Sequence, residues 1–212
     1  MKTLLLIRHG QSEADLLDVH EGRADFPLTA LGRSQAEAMA RWVAERWRLD
    51  AIFASTLRRA AETAELLSAA AGCPITWDGE LMEFDNGPLA GLTRAEADER
   101  YPLIPDLPPD RSAYGQETML LFPGGTDRQR ADEALAHCLE RTGRTAAIVS
   151  HGGMISQLCA SLLGLAPAAP VGVRTGDTGV HCWQVSEGRR ALLFANRQEH
   201  LLSMEAQNPL QI

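Results

Sequence analysis

Two histidines occupy equivalent places in this sequence. His9 follows the short apolar run 3–7, His151 follows the apolar run 145–149, and a glycine comes directly after each histidine. Such runs are typical of buried parallel strands, and open α/β sheets bind ligands beyond the carboxyl ends of these strands. Both histidines are therefore predicted at one edge of a sheet, facing each other if their strands are neighbours. A neutral imidazole is a good nucleophile near pH 7.

Candidate anion-binding groups surround the two histidines. Arg8 stands beside the first histidine, and two adjacent arginines, Arg58 and Arg59, follow another buried run, 51–54, where a helix begins. An arginine at this edge can hold two phosphate oxygens at once. Gly152 opens a helix whose free N–H groups favour an anion. These residue types indicate a phosphate site, although a lone histidine at a strand end is more often structural, and a lone arginine here could equally be solvated.

Strands and helices that could position these groups alternate along the chain. Apolar runs predict strands at 3–7, 51–54, 75–77, 145–149, 179–185 and 190–195. Helical spacing predicts helices at 30–48, 93–100, 126–141 and 152–163, and one that is capped by Ser55 or Thr56 and runs to residue 71. The alternation predicts an α/β fold with a mostly parallel central sheet, flanked by helices on both faces in three layers. Residues 11–28 show no clear period and are predicted to form a loop.

A single domain is expected over residues 1–212. The proline-rich stretch 101–125 is interpreted as an irregular, lid-like excursion, and 165–172 as a connector. Four cysteines lack the spacing of a zinc site, which indicates free thiols in a reducing compartment.

The charge balance excludes some partners. A formal net charge of −8 argues against a nucleic-acid or anionic-membrane surface, but not against a small anionic substrate held by a few local cations. No apolar run approaches the roughly 18 residues that span a membrane, and Arg8 ends the N-terminal run too early for a signal peptide. We therefore expect a cytoplasmic protein with neither a nucleic-acid nor a membrane partner.

Five segments in order resemble the histidine phosphatase superfamily, which includes the cofactor-dependent phosphoglycerate mutases. The segments lie between residue 4 and about residue 160, at 6–12, 27–36, 55–64, 81–87 and 149–153. Each segment alone is a weak signal, but five ordered matches are specific. The resemblance implies a phosphoglycerate mutase-like α/β fold and phosphoryl chemistry. Because an imidazole is itself the nucleophile, this chemistry needs no metal, and we expect no cofactor.

The resemblance also implies roles for the matching residues. His9 resembles the nucleophile that becomes phosphorylated, and Glu83 resembles the general acid and base. Arg8, Arg59 and His151 resemble the phosphate pocket, and the second arginine of the pair is preferred because it precedes the alanine of the family's Arg-Ala pair. Further substrate contacts are expected from Gln11, Ser12, Glu21, Gly22 and Gly152.

Two acidic residues depart from the family pattern. Asp15 stands where many members carry an asparagine, and Glu21 stands just before Gly22, where relatives often have a neutral polar residue. A carboxylate repels a phosphate, so Asp15 is expected either to turn away or to lie on a differently shaped loop. The two acids argue against a strongly anionic, multi-phosphate substrate.

The chain between Glu83 and His151 is short for a mutase, which favours a phosphatase. The first hypothesis is a metal-independent phosphatase that hydrolyses a small phosphorylated substrate through a phosphohistidine at His9. A phosphoglycerate mutase and a non-catalytic, phosphate-binding regulatory domain are the alternatives. A homodimer is compatible with the sequence.

Overall fold

A computed structural model describes residues 1–102, 125–167 and 172–202. Within these ranges the strands are β1 (Lys2–Arg8), β2 (Ala51–Ala54), β3 (Ile75–Trp77), β4 (Thr145–Ser150), β5 (Val180–Ser186) and β6 (Arg189–Arg197). The helices are α1 (Glu13–Leu17), α2 (Ala30–Arg46), α3 (Arg58–Ala71), α4 (Arg94–Arg100), α5 (Gly125–Arg141) and α6 (Gly152–Leu162). Short 3₁₀ turns lie at Gly79–Leu81, Gly87–Leu89 and Glu199–Leu201.

The strands form one sheet in the order β3-β2-β4-β1-β5-β6. The four strands β3, β2, β4 and β1 are parallel, whereas β5 pairs with β1, and β6 with β5, in antiparallel orientation. In the central pair β1 and β4, Arg8 lies opposite Ser150, and the N–H of His9 donates to the Ser150 carbonyl at 3.0 Å. The carboxyl ends of these two strands therefore adjoin, and the prediction of a mostly parallel sheet is confirmed.

The sheet separates two hydrophobic cores. Leu5 and Ile7 of β1 belong to the core that includes α2 and α3, whereas the alternate residues Leu4 and Leu6 belong to the core that includes α5 and α6. Side chains on a strand point alternately to opposite faces, so the buried central residues of one strand, 4–7, supply both cores. The three-layer arrangement, with helices on both faces, agrees with the prediction.

The loop that follows β1 is pressed against the start of α2. The hydroxyl of Thr29 caps this helix by accepting the N–H of Gly32 at 2.9 Å. A Cβ atom on Gly32 would collide with the carbonyl of Gln11, and one on Gly10 would collide with the carbonyl of Gly32. Two glycines are therefore needed for this close backbone approach, which fixes the path of the chain immediately after His9.

The predicted loop at 11–28 is wrong in part because it contains α1. The carboxylate of Asp15 accepts the backbone N–H of Ser12 at 2.8 Å and its hydroxyl at 3.2 Å, which caps the helix. A helix of five residues is too short to show a hydrophobic period, so this helix has no periodic signal in the sequence.

The predicted cap of α3 is also wrong. The helix begins at Arg58 with Leu57 as its N-cap, which makes no side-chain cap. The Ser55 hydroxyl accepts the Leu57 N–H at 3.2 Å and pairs with His151, so it is used before the helix begins. The helix predicted at 30–48 ends two residues earlier, at Arg46.

Several predictions remain untested by this structure. Residues 103–124, which form most of the predicted excursion, and residues 168–171 of the connector lie outside the described residues. The single domain over 1–212 stays a prediction.

All four cysteines are free and buried. Among the described residues, no helix is both long enough and apolar enough to cross a membrane.

Candidate active site

The structure brings the two histidines together. His9 follows β1, His151 follows β4, and their ring centroids are 5.1 Å apart with an interplanar angle of 58°. Both side chains are almost completely buried. The neighbouring strands β1 and β4 place them side by side, as expected for residues beyond the carboxyl ends of adjacent parallel strands.

Hydrogen bonds define the tautomer of His9. Its Nδ1 lies 2.7 Å from the carbonyl oxygen of Gly10, and a carbonyl can only accept, so Nδ1 carries the hydrogen. The Nε2 lone pair then accepts from the Nε of Arg59 at 3.2 Å. Burial, followed by the charges of Arg59 and Arg8, holds the pKa of His9 well below its usual value, although the Gly10 bond opposes this. His9 is therefore a neutral imidazole at pH 7, with its lone pair on Nε2.

Arg59 is fully buried and held in one orientation. It is the second residue of α3, and its Nη1 and Nη2 donate to the carbonyls of Ala24 at 2.9 Å and Gly22 at 2.8 Å. Its Nε also lies 3.2 Å from a carboxylate oxygen of Glu21. Burial lowers the pKa of Arg59, and Glu21 opposes this shift. Of the predicted contacts, Gly22 thus provides the carbonyl that orients this arginine.

Arg8 is anchored by a segment that sequence reasoning missed. Its Nη1 donates to the carbonyl of Thr175 at 2.9 Å, and its Nη2 lies 3.5 Å from the carboxylate of Asp177. Its buried Nε has no hydrogen-bond partner in the described part of the chain. Burial raises the pKa of Asp177, and Arg8 opposes this. No local pattern around Asp177 indicated that it would reach the end of β1, more than 160 residues away in sequence.

His151 keeps one ring nitrogen available. Its Nε2 lies 2.8 Å from the Ser55 hydroxyl, while its buried Nδ1 has no partner among the residues described. With Ser55 donating to Nε2, the Nδ1–H of His151 is free to donate to an anion. Burial, and then the neighbouring His9 and Arg59, hold the pKa of His151 well below its usual value, so the ring is neutral at pH 7.

Glu83 occupies the N-terminus of α6. Its carboxylate accepts the backbone N–H groups of Gly153 at 2.9 Å, Met154 at 3.1 Å and Phe84 at 3.0 Å. A Cβ atom on Gly153 would collide with the ring of Phe84 and the carboxylate of Glu83, so this glycine permits the contact. Gly152 is the first residue of the helix, and its N–H has no partner inside the helix. The N-terminus of α6, which was predicted to bind an anion, therefore binds the carboxylate of Glu83. The N–H of Gly152 makes no hydrogen bond within the helix.

The two unusual acids have different environments. Glu21 accepts the hydroxyl of Ser12 and lies 3.8 Å from the Nε2 of His9. Burial raises the pKa of Glu21, and Arg59 opposes this. Asp15 instead binds the N–H and hydroxyl of Ser12 as part of the α1 cap. Glu21 is thus the acid that lies beside the candidate nucleophile.

Gln11 is positioned against α2. Its side-chain oxygen accepts the Thr29 hydroxyl at 2.9 Å, and its backbone N–H donates to Gln35 at 2.9 Å. These contacts secure the loop after His9.

Across the described ranges, no group of three or more His, Cys, Asp or Glu side chains could hold a metal ion.

Two neutral histidines lie between two anchored arginines at the carboxyl edge of a three-layer sheet, an arrangement that could bind an anion beside a histidine. The model of the histidine phosphatase superfamily (branch 1) matches residues 4–198, and the chain belongs to this family. The prediction of this superfamily and its fold is confirmed.

Relatives in sequence include both phosphatases and mutase-named proteins. Glucosyl-3-phosphoglycerate phosphatase of Mycolicibacterium vanbaalenii is 34% identical over 177 residues, which cover 78% of this chain and 76% of the relative. A Salmonella arizonae protein named "Probable phosphoglycerate mutase GpmB" is 34% identical over 174 residues, with the same coverage of 78% and 76%.

Solved structures of phosphatases share the fold. Mycobacterial glucosyl-3-phosphoglycerate phosphatase, in complex with VO3, has a TM-score of 0.73 at 27% identity, covering 92% of this chain and 99% of the other. A mutant phosphoserine phosphatase from Entamoeba histolytica, in complex with phosphoserine, has a TM-score of 0.69 at 26% identity, covering 95% and 100%. The α-ribazole phosphatase of Shigella flexneri, at 23% identity, shares the fold with a TM-score of 0.76, covering 92% and 96%. At the level of the family, the predicted enzyme class, a phosphoric monoester hydrolase, is confirmed.

Replacing Glu21 by glutamine is expected to tighten the binding of inorganic phosphate. An ionised carboxylate 3.8 Å from Nε2 of His9 repels an anion placed there, so Glu21→Gln should lower the phosphate Kd about tenfold near pH 8. Because the pKa of Glu21 is raised, acidification protonates the wild-type side chain, and the advantage of the variant should shrink towards pH 5. Calorimetric titration at both pH values measures this. The exposed Glu37→Gln serves as a control, and equal affinities of wild type and Glu21→Gln at pH 8 would contradict the interpretation.

Proposed function

We propose that this chain hydrolyses a small phosphomonoester through a phosphohistidine at His9, without a metal. The observation that carries the proposal is the tautomer of His9. The Gly10 carbonyl holds the hydrogen on Nδ1, which leaves the lone pair of a neutral, buried ring on Nε2. A phosphoryl transfer needs such a nucleophile together with fixed cations, and Arg59 and Arg8 lie beside it.

In the first step, Nε2 of His9 attacks the phosphorus. The N–P bond forms while the bond from phosphorus to the ester oxygen breaks, and the electron pair of that bond stays on the leaving oxygen. Arg8, Arg59 and the Nδ1–H of His151 stabilise the charge on the phosphoryl oxygens. A protonated Glu83 gives its proton to the leaving oxygen, which departs as the alcohol.

In the second step, water attacks the phosphohistidine. Glu83, now a carboxylate, takes a proton from the attacking water, the P–N bond breaks, and its electron pair returns to Nε2. Inorganic phosphate is released and Glu83 is again protonated. The Oε2 atom of Glu83 accepts a single backbone N–H, from Gly153, so a second lone pair on Oε2 is available for the proton in both steps.

The net charge of the chain supports a small molecule as the partner. A small phosphorylated molecule is the proposed partner, because the net charge of −8 disfavours polyanionic surfaces such as nucleic acids and anionic membranes. We also propose a cytoplasmic location. The mutase alternative draws on the relative named as a phosphoglycerate mutase, and the chain between Glu83 and His151, which is short for a mutase, disfavours it.

Hydrolysis of p-nitrophenyl phosphate by three proteins tests this function. Wild type should be active in EDTA, and His9→Ala should lose at least about 10³-fold in kcat because the nucleophile is gone. The partly exposed His137→Ala on α5 should stay within about twofold of wild type.

Activity that survives in His9→Ala, or that EDTA abolishes, would overturn the proposed mechanism. Silence towards a broad panel of phosphomonoesters would favour the non-catalytic domain. Phosphoryl transfer between the 2- and 3-positions of phosphoglycerate that outpaces hydrolysis would favour the mutase.

Glu83→Gln should discriminate between leaving groups. An alkoxide needs a proton as it leaves, so kcat/KM for an alkyl phosphate is expected to fall about 10²- to 10⁴-fold. A nitrophenolate leaves without help, so kcat/KM for p-nitrophenyl phosphate should fall less than about tenfold. The parameter kcat/KM reports events up to release of the leaving group, which isolates the first step. Equal losses of kcat/KM on both substrates would show that Glu83 is not the general acid. The same conclusion would follow if Glu21→Gln discriminated between the two leaving groups more strongly than Glu83→Gln.

A further inference from the structure

A cavity of about 770 Å³ lies beside the phosphate site. Its lining includes Arg8 and Gly152, which belong to the candidate site, and continues along the segment 172–176. His9 is not part of the lining. The cavity therefore shares its wall with the phosphate-binding groups rather than with the nucleophile, and it fits the organic part of an ester whose phosphoryl group lies against His9.

Arg174 is the second cation in this cavity. Its side chain is exposed, and it makes no hydrogen bond or ion pair with any residue that the structure describes. Among the described residues that line the cavity, none carries a carboxylate. Arg8 and Arg59, by contrast, have several of their donors engaged by carbonyl and carboxylate oxygens. An arginine that has no partner among the described residues, at the wall of a cavity that adjoins the phosphate site, is available to an anionic group of a ligand.

The segment that carries Arg174 is firmly attached to the site. The carbonyl of Thr175 receives Nη1 of Arg8 at 2.9 Å, and its hydroxyl lies 2.8 Å from the ring of His181. The N–H of Gly176 donates to the side chain of Asn196 at 2.8 Å. These contacts involve the two residues that follow Arg174, so its backbone is held at a constant distance from the phosphate-binding arginine.

The two acidic residues whose presence disfavoured a strongly anionic substrate, Asp15 and Glu21, lie outside this cavity. Asp15 caps α1, and Glu21 is bound by Ser12 and paired with Arg59. Neither carboxylate lines this cavity. Their presence in the sequence therefore does not disfavour a negative charge on the organic part of the substrate.

We propose that Arg174 binds a second anionic group, a carboxylate or a phosphate, on the organic part of the substrate. This inference rests on the proposed phosphatase function, because it assigns the leaving group to the cavity. The planar guanidinium can pair with two oxygens of such a group, while the phosphoryl group is bound at Arg8 and His9. Substrates with this second charge should therefore be preferred over neutral esters of the same size.

Three esters on a three-carbon chain test the preference. 3-Phosphoglycerate has a carboxylate where glycerol 3-phosphate has a hydroxymethyl group, and propane-1,3-diol bisphosphate has a second phosphate. Wild type should show a kcat/KM about tenfold higher for at least one doubly charged ester than for glycerol 3-phosphate. The better of the two identifies whether the bound group is a carboxylate or a phosphate.

Substitution of Arg174 should remove this preference through KM. Arg174→Gln should lower kcat/KM about tenfold for the preferred ester, with glycerol 3-phosphate and p-nitrophenyl phosphate within about twofold of wild type. Arg174→Lys should retain part of the preference. The control is Arg48→Gln, an exposed arginine that precedes β2 at the opposite edge of the sheet and should change nothing. Equal losses on all substrates, or an unchanged preference in Arg174→Gln, would overturn the proposal.

A binding measurement separates this proposal from the phosphatase function. Calorimetry with His9→Ala compares the Kd values of the same three esters without turnover. A tighter Kd for a doubly charged ester, lost in the double variant with Arg174→Gln, would support the subsite even if wild type hydrolysed none of them. Equal Kd values for all three would overturn the subsite whether or not the chain is a phosphatase.

Discussion

The hydrogen bond from Nδ1 of His9 to the carbonyl of Gly10 is the interaction on which the rest of the site depends. It selects the tautomer, and burial with two flanking arginines keeps the ring neutral. The Gly10 carbonyl is in turn fixed because Gly10 and Gly32 allow the loop to press against α2. The backbone of the core thus determines which nitrogen of a single side chain is the nucleophile.

The same arrangement explains how the buried Arg59 and the half-buried Arg8 are tolerated beside a neutral histidine. Buried cations need nearby acceptors, and the protein supplies carbonyls for both arginines, together with Glu21 for Arg59 and Asp177 for Arg8. Some donors remain unused: Nε of Arg8 and, with Ser55 donating to its ring, Nδ1–H of His151 have no partner in the residues described. A phosphoryl group would satisfy these donors, so the site is organised to bind an anion that the described residues do not provide.

Local patterns in the sequence predicted the central features, and long-range contacts account for what they missed. The apolar runs before His9 and His151 located both residues at one sheet edge, and the strand order made them neighbours. Asp177 could not be found this way, because its contact with Arg8 joins residues that are far apart in the sequence. Ser55 has the residue type of a helix cap, but its hydroxyl is used by His151 instead, a competition that only tertiary structure reveals. The short helix α1 was not predicted, because a helix of about one turn is too short to show a hydrophobic period.

His9 is expected to be phosphorylated on Nε2, because its Nδ1 is bound to the Gly10 carbonyl. Brief reaction with a phosphomonoester, alkaline quench and NMR of ³¹P in protein with ¹⁵N-labelled histidine locate the phosphorus atom. We expect one N–P linkage, at Nε2 of His9, which disappears in His9→Ala. Phosphate on Nδ1 of His9, on His151 or on any other residue would rule out Nε2 of His9 as the nucleophile.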